Sequence, residues 1–325
     1  MTIAAILDGL ARLNVLVVGD ICLDRWCSYD PALSEISRET GIPRTAVVSY
    51  ESTAGACGTI ANNLVDLGVG RVSVMGVIGD DSHGDELFQA LGLRETDVGL
   101  VIRSRMVNTF TYIKHVNCVS GIEDLPRVDY VNVSPLPEAL DSQLVQEFLT
   151  YAGMFDAILV CDQAETAAGG VITAAMRAAI SQVRQKIVWV DSRRRAELFR
   201  NCYLKPNEDE AREAAARLGV DGLAALRELL ELKALVVTEG ERGARLIDRQ
   251  GERQLKTISV DKPVDICGAG DSFSAGAASA LAAGATIDEA VHVGNLVASV
   301  TIMKRGTGTA SQAEVLAAAA RVGMR

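Results

Sequence analysis

The sequence predicts an α/β protein: a doubly wound, mostly parallel sheet flanked by helices, carrying a small β lid. Three observations predict it. Short β-branched runs alternate with Ala- and Leu-rich segments of helical spacing, the pattern left by parallel strands joined through crossover helices. Hydrophobic residues make up 49% of the 325 and aromatics only 4%, which suits a sheet buried on both faces. Two long stretches, 34–49 and 107–133, break the alternation, and structureless loops of that length are uncommon unless they serve as lids.

The elements follow in order. Residues 14–19 read N-V-L-V-V-G, a buried strand closing on glycine. Runs of the same kind at 72–78, 157–161, 187–190 and 234–238 predict four more strands. Between them, 59–67, 208–218 and 223–232 have helical spacing. From Asp271 onward the chain reads as almost wholly helical, best at 277–283 and 287–304. Within the two interruptions, the β-prone stretches 45–48 and 109–116 are expected to be lid strands. One domain, 1–325, is expected, with both lid segments inserted in it.

Bulk properties exclude several classes. A net charge of -10 argues against an extended nucleic-acid surface. Seven cysteines without a C-x-x-C pair suit free thiols in a reducing cytoplasm. No basic-then-apolar leader opens the chain and no apolar run reaches membrane-spanning length, so a soluble cytoplasmic protein is expected. A Walker A sequence is missing, as is a G-x-G-x-x-G after the first strand, which disfavours P-loop kinases and dinucleotide oxidoreductases.

The stretch with most chemical content is Asp265-Ile266-Cys267-Gly268-Ala269-Gly270-Asp271-Ser272-Phe273. Its small residues let the backbone approach a ligand and aim amides at one point, and the helix that follows adds its positive dipole end. Such a site stabilises charge on a transferring phosphoryl group. A carboxylate at its mouth, Asp271, repels phosphate, so its use is to take the proton of an attacking hydroxyl. Taken alone, an N-cap role for Asp271 is equally favoured.

This D-x-x-G-A-G-D-x-F string resembles the signature of the ribokinase-like (PfkB) carbohydrate kinases, and the resemblance runs through the whole chain in order. Val17-Val18-Gly19-Asp20 with Asp24 looks like the family's first strand and substrate aspartate. Lys205-Pro206-Asn207 with Glu210 resembles its N-x-x-E motif, which implies that Asn207 and Glu210 position Mg²⁺ through water. An ordinary helix start accounts for that pair equally well. Thr238-Glu239-Gly240 with Gly243 is similar to the nucleotide-side turn, and Lys304-Arg305-Gly306-Thr307, with Asn295 before it, to the adenine wall. The resemblance implies ATP and Mg²⁺ as cofactors, Asp271 as base with Gly268, Ala269 and Gly270 as the anion hole, and Asp24 as a sugar-hydroxyl acceptor. It leaves open a monovalent cation near the Asp265 turn.

The N-terminal region resembles the kinase domain of bacterial heptose-7-phosphate kinases, through Gly19 to Trp26, Glu35 to Glu39, Ile42-Pro43 and Leu125-Pro126-Arg127-Val128-Asp129. Lys114 and Arg127 are the candidate contacts for a substrate phosphate, with solvated lid charges as the plainer reading. Those enzymes often carry a following nucleotidyltransferase domain; a chain ending at Arg325 is expected to lack one.

Three places depart from the pattern, one of them at two residues. Gly55-Ala56-Cys57-Gly58-Thr59 stands where the family has Gly-Gly and then Asn, so Ala56 and Thr59 are expected to alter which hydroxyls are read. Glu165 stands where heptose kinases carry Lys, and Cys267 where Thr is usual. The expected function is therefore ATP-dependent phosphorylation of a sugar or sugar phosphate. A different sugar or sugar acid, or a non-catalytic sugar- or nucleotide-binding regulator, are the alternatives. Exposed lid edges favour a homodimer through the lid.

Overall fold

The computed structural model describes residues 1–323 apart from 167, 259 and 261. In chain order the strands are β1 (Asn14–Gly19), β2 (Ile21–Tyr29), β3 (Val47–Ala56), β4 (Arg71–Gly79), β5 (Asp97–Ser104), β6 (Phe110–Asn117), β7 (Val128–Tyr130), β8 (Ala157–Asp162), β9 (Ile187–Ser192), β10 (Tyr203–Leu204), β11 (Ala234–Thr238), β12 (Ala244–Asp248) and β13 (Gly251–Leu255). The helices are α1 (Ile3–Leu10), α2 (Cys57–Asp66), α3 (Ser82–Gly92), α4 (Glu138–Tyr151), α5 (Ala174–Ser181), α6 (Glu208–Leu218), α7 (Leu223–Leu229), α8 (Ala269–Ala282), α9 (Ile287–Thr301) and α10 (Gln312–Arg321).

Nine strands form the main sheet in the order β13-β12-β11-β10-β9-β8-β1-β4-β5. All neighbours are parallel except the β11–β12 and β12–β13 pairs. Because side chains alternate across a strand, β1 feeds two cores at once. Val15 and Val17 join a cluster that includes side chains of α1, α2, α8, α9 and α10, while Leu16 and Val18 join one that includes those of α4 to α7. Burial on both faces is why β1 reads as an unbroken apolar run. The reversal of strand order around β1 leaves a crevice at the carboxyl ends of the strands, where open α/β sheets bind ligands.

The lid is a second sheet, β3-β2-β6-β7. It corrects two expectations. The chain leaves β1 and enters β2 with one intervening residue, so the lid takes a strand, carrying Asp24, from outside the two expected segments. Of 34–49, only 47–49 is strand; β3 runs on through Gly55 and Ala56, and the remainder holds a single bridge between Ile36 and Pro43. The parallel β2–β6 pairing sets Asp24 beside Tyr112 and Trp26 beside Lys114, while β3 brings Thr53 against Asp24 on the other side. Residues level across paired strands share a face, so one lid face carries Asp24, Thr53 and Tyr112.

Helix α8 starts at Ala269, two residues earlier than the sequence suggests. Phe273 fastens it to the sheet, tilted against Trp189 with 6.3 Å between ring centroids. All seven cysteines are free thiols. No helix among the described residues is long and apolar enough to cross a membrane.

Candidate active site

Gly268 occupies the N-cap of α8 at φ +74°, left-handed backbone that glycine adopts without steric cost. Asp271 therefore sits inside the first turn, and the cap role considered for it belongs to Gly268. The Ala269 amide donates to Ile266 O (3.2 Å) and that of Ser272 to Gly268 O (2.9 Å). The amides of Gly270 and Asp271 meet no acceptor among the described residues. Two unused amides at a helix start form a concentrated anion site, in which Ala269 contributes smallness and not a donor.

Directly beneath lies a buried ion pair. Lys205 Nζ is 2.9 Å from Asp191 Oδ2, with side-chain exposures of 4% and 7%. A Cβ on Gly270 would stand 3.4 Å from Lys205 Nζ, and Ser274 Oγ donates to Asp191 Oδ2 (3.4 Å). Burial raises Asp271 to about 8, helped by the Asp191 charge and opposed by Lys205. No side chain among the described residues donates a hydrogen bond to its carboxylate, so it is free to accept one from a substrate.

Facing it from the lid, Asp24 is buried and raised to about 6 by desolvation, with Lys114 and Arg127 pulling the other way. Gly55 makes room for this carboxylate: a Cβ there would lie 2.3 Å from Asp24 Oδ2. Ala56 takes φ +51°, ψ -114°, a strained conformation for a residue with a side chain. It is the position where the family pattern has its second glycine. The Thr59 hydroxyl reaches only Ala54 O, at 3.5 Å. Its methyl would be 3.0 Å from a Cβ on Gly268, so Thr59 packs the start of α2 against the turn that caps α8. Lys114 Nζ lies 3.4 Å from Cys267 Sγ and 5.1 Å from the Trp26 ring centre. Arg127 gives its guanidinium to Asp129 through two 2.7 Å bonds and lies over the Tyr112 ring.

At the start of α6, Asn207 and Glu210 form a capping box. Asn207 Oδ1 accepts from the Glu210 amide (2.9 Å), and Glu210 Oε2 from the Asn207 amide (2.8 Å). The helix-start reading of this pair is thus realised. It leaves Glu210 Oε1 without a partner among the described residues, and burial beside Asp191 raises this carboxyl. An uncommitted carboxylate oxygen with an amide oxygen nearby suits a hard cation reached through water; no group of three or more His, Cys, Asp or Glu among the described residues is set to bind a metal outright. Thr238 bridges to Asn207. Gly240 opens a short 3-10 turn and Gly243 backs onto Leu255 and Thr257, while Asn295 Nδ2 donates to Leu255 O (3.4 Å). These four residues meet around β11–β13. Thr307 stands beside the lid and the α8 cap: its hydroxyl is 2.8 Å from that of Thr53 and its methyl faces Gly268. Asp265 joins the two loops, accepting from the Cys267 amide (2.9 Å) and the Gly306 amide (3.1 Å).

Sequence reasoning missed Asp191, Arg193, Thr53 and Tyr112. Asp191 ends the apolar run at 187–190, and a polar residue at the carboxyl end of a parallel strand is the signal that would have found it. Behind the site, Asp20 takes the amides of Gln163 (2.8 Å), Ala164 (2.8 Å) and Val171 (2.9 Å). That fixes the loop carrying Glu165, which is ion-paired with Arg193.

Comparison with known proteins agrees with this geometry. Residues 13–314 match the family described as pfkB family carbohydrate kinase. Among curated relatives, the bifunctional protein HldE of Pelobacter propionicus is 30% identical over 329 residues, covering 98% of this chain and 66% of that protein. HldE of a Bradyrhizobium species is 31% identical, covering 95% and 64%. The chain thus spans just under two thirds of the length of these relatives. Among solved structures, ribokinase from Thermotoga maritima superposes with a TM-score of 0.71 at 20% identity (94% of this chain, 99% of that one). Arabidopsis thaliana ribokinase complexed with ribose and ATP gives 0.69 at 19% (94% and 98%).

Proposed function

We propose, for a chain that belongs to the pfkB family of carbohydrate kinases, that it moves the γ-phosphate of ATP to a hydroxyl of a sugar or sugar phosphate, with Asp271 as general base. The observation that carries this is the Asp271 carboxylate: unpartnered, raised to about 8 and set in the same helix turn as two free amides. A base works best when its pKa lies near the working pH. The acceptor hydroxyl attacks phosphorus, its proton passes to Asp271, and the bond to the bridging oxygen breaks to release ADP. The amides of Gly268, Gly270 and Asp271 are positioned for the charge that builds on the phosphoryl oxygens.

Asp24 and the Gly55–Ala56 turn are the acceptor contacts in this reading, with Thr53 and Tyr112 beside them. Thr238, Gly240, Gly243 and Asn295 would flank the adenosine. Asn207 and Glu210 would hold Mg²⁺ through water; bound there, the ion neutralises phosphate charge. A phosphorylated heptose is the favoured acceptor, supported by the HldE relatives and by Lys114 and Arg127 around Asp24. The inward-turned Thr59 favours a second reading, an altered sugar or sugar acid, because its hydroxyl already bonds Ala54 O. The lid exposes Val47, Val48, Tyr50 and Val128, apolar surface of the kind that covers itself by pairing, which supports a homodimer. The free thiols support a cytoplasmic setting.

ADP release from Mg-ATP across sugars, sugar acids and sugar phosphates tests this. Acceptor-dependent turnover lost in Asp271→Asn is expected. ATP binding without transfer to any acceptor would turn the reading towards a non-catalytic binder.

A further inference from the structure

Arg193 lies just past the end of β9, and its amide extends the ladder by donating to Asp162 O at 3.0 Å. Side chains two apart along a strand leave the same face. Asp191 uses that face to reach Lys205 and Ser274 beneath the catalytic turn, so Arg193 emerges on the same side, one step further towards the open crevice. Its guanidinium is ion-paired with Glu165, with side-chain exposures of 50% and 43%. The guanidinium lies within electrostatic reach of the carboxylates of Asp271, Glu210 and Glu165, and near the uncharged Tyr112 hydroxyl. The cation therefore stands between the proposed base, the proposed metal-side carboxylate and the lid tyrosine next to Asp24. Nothing in the transfer reaction as described above uses it.

We propose that Arg193 binds a terminal phosphate group in the transfer site, and that Glu165 is its resting partner, displaced when the phosphate arrives. This rests on the kinase reading. An exposed ion pair in water is held weakly, whereas a guanidinium meeting a phosphate in a closing cleft makes paired, charge-assisted bonds. Phosphate therefore wins the competition. Glu165 keeps the guanidinium folded back over the loop that Asp20 anchors, and it charges each phosphate a displacement cost. The phosphate is either the one being transferred or one already on the acceptor, and the two sources separate experimentally.

The experiment compares Arg193→Ala, Arg193→Lys and Glu165→Gln in the full chain by steady-state kinetics, with calorimetric binding of Mg-ATP in the absence of acceptor. Arg193→Ala is expected to lose roughly 100-fold in kcat/KM, with Arg193→Lys intermediate and added guanidinium restoring part of the loss. A structural role would show no such rescue. Glu165→Gln is expected to keep kcat and lower a KM several-fold. If the transferred phosphate is the ligand, Arg193→Ala weakens Mg-ATP binding. If the acceptor's phosphate is, only phosphorylated acceptors lose affinity. Activity of Arg193→Ala within twofold of the unsubstituted protein overturns the proposal. Should the unsubstituted protein transfer to no acceptor, the kinase reading has failed instead. Calorimetry with inorganic tripolyphosphate then decides this inference alone: weaker binding by Arg193→Ala supports it, equal binding sinks it.

Discussion

The two walls of the crevice are built by different means. The transfer wall is made of backbone and deep burial: a helix start capped by Gly268, an ion pair at 4% and 7% exposure, and Phe273 locked on Trp189. The proposed acceptor wall is made of side chains on a four-stranded sheet, joined to the rest through Leu23 and Ala54 in the main core, the Arg25–Glu86 ion pair and the Thr53–Thr307 contact. Backbone donors can serve any phosphate and tolerate little change. Side-chain contacts read one acceptor and are easily exchanged. On the proposed reading chemistry and specificity are held in separable parts; of the departures from the family pattern, Ala56 ends a lid strand while Cys267 adjoins the Gly268 turn.

The comparison breaks most sharply at Asp271. Asp271→Asn is expected to lower kcat at least ~10³-fold while raising Tm by a few degrees, measured by ADP release and thermal unfolding. The sign follows from the raised pKa. A carboxyl at about 8 in the folded chain against its ordinary value near 4 makes folding favour the protonated form. Its contribution to stability is full at low pH and is lost as pH rises from about 4 through about 8. Activity runs the other way: kcat/KM should fall tenfold per pH unit below about 8. A flat profile in that range would remove Asp271 as the base.

Next in size is the buried pair. Lys205→Met strands Asp191 without its partner and should cost about 3–5 kcal/mol of stability, read by chemical denaturation. A loss under 1 kcal/mol would show that the transfer wall is not held from beneath. On the other wall, Asp24→Asn should raise the acceptor KM about 10- to 100-fold and leave the KM for ATP within twofold. Equal effects on both would join the two walls into one unit. The smallest effect belongs to Ala56→Gly, which relieves positive-φ strain and should add about 1 kcal/mol with kcat unchanged.

The same division explains what the sequence discloses. Strand β1, helix α6 and strand β11 start and stop where their residues predict, because each is an apolar or strongly capped run between clear breakers. The lid is harder to read. Strand β2 carries Asp24 and Arg25 among its apolar residues and begins one residue after β1 ends, with no turn between them. Its Asp24 looks like a loop residue until β3 and β6 supply its neighbours. Gly55 and Ala56 read as a turn and are the end of a strand. In the site, Gly268 to Asp271 were legible because they are contiguous. Asp191 and Arg193 were not, since their meaning comes from Lys205, Ser274 and Glu165, which lie far away in the chain. The capping box at Asn207 shows the converse: one spacing satisfied two roles, and only one of them is visible as hydrogen bonds.

The direct passage from β1 into β2 also orders events during synthesis. Strand β2 is made early, yet its parallel partner β6 follows only after β4, α3 and β5, so closing the lid means closing a long loop of chain. The turn at Gly268 and helix α8 come later still. A nascent chain therefore presents half a lid, with the edge of β2 that β6 will take still unpaired, until β4, α3 and β5 have been made. Conditions that slow the making of that segment should show first as aggregation through the open edge of β2, before any loss of nucleotide binding in the molecules that finish.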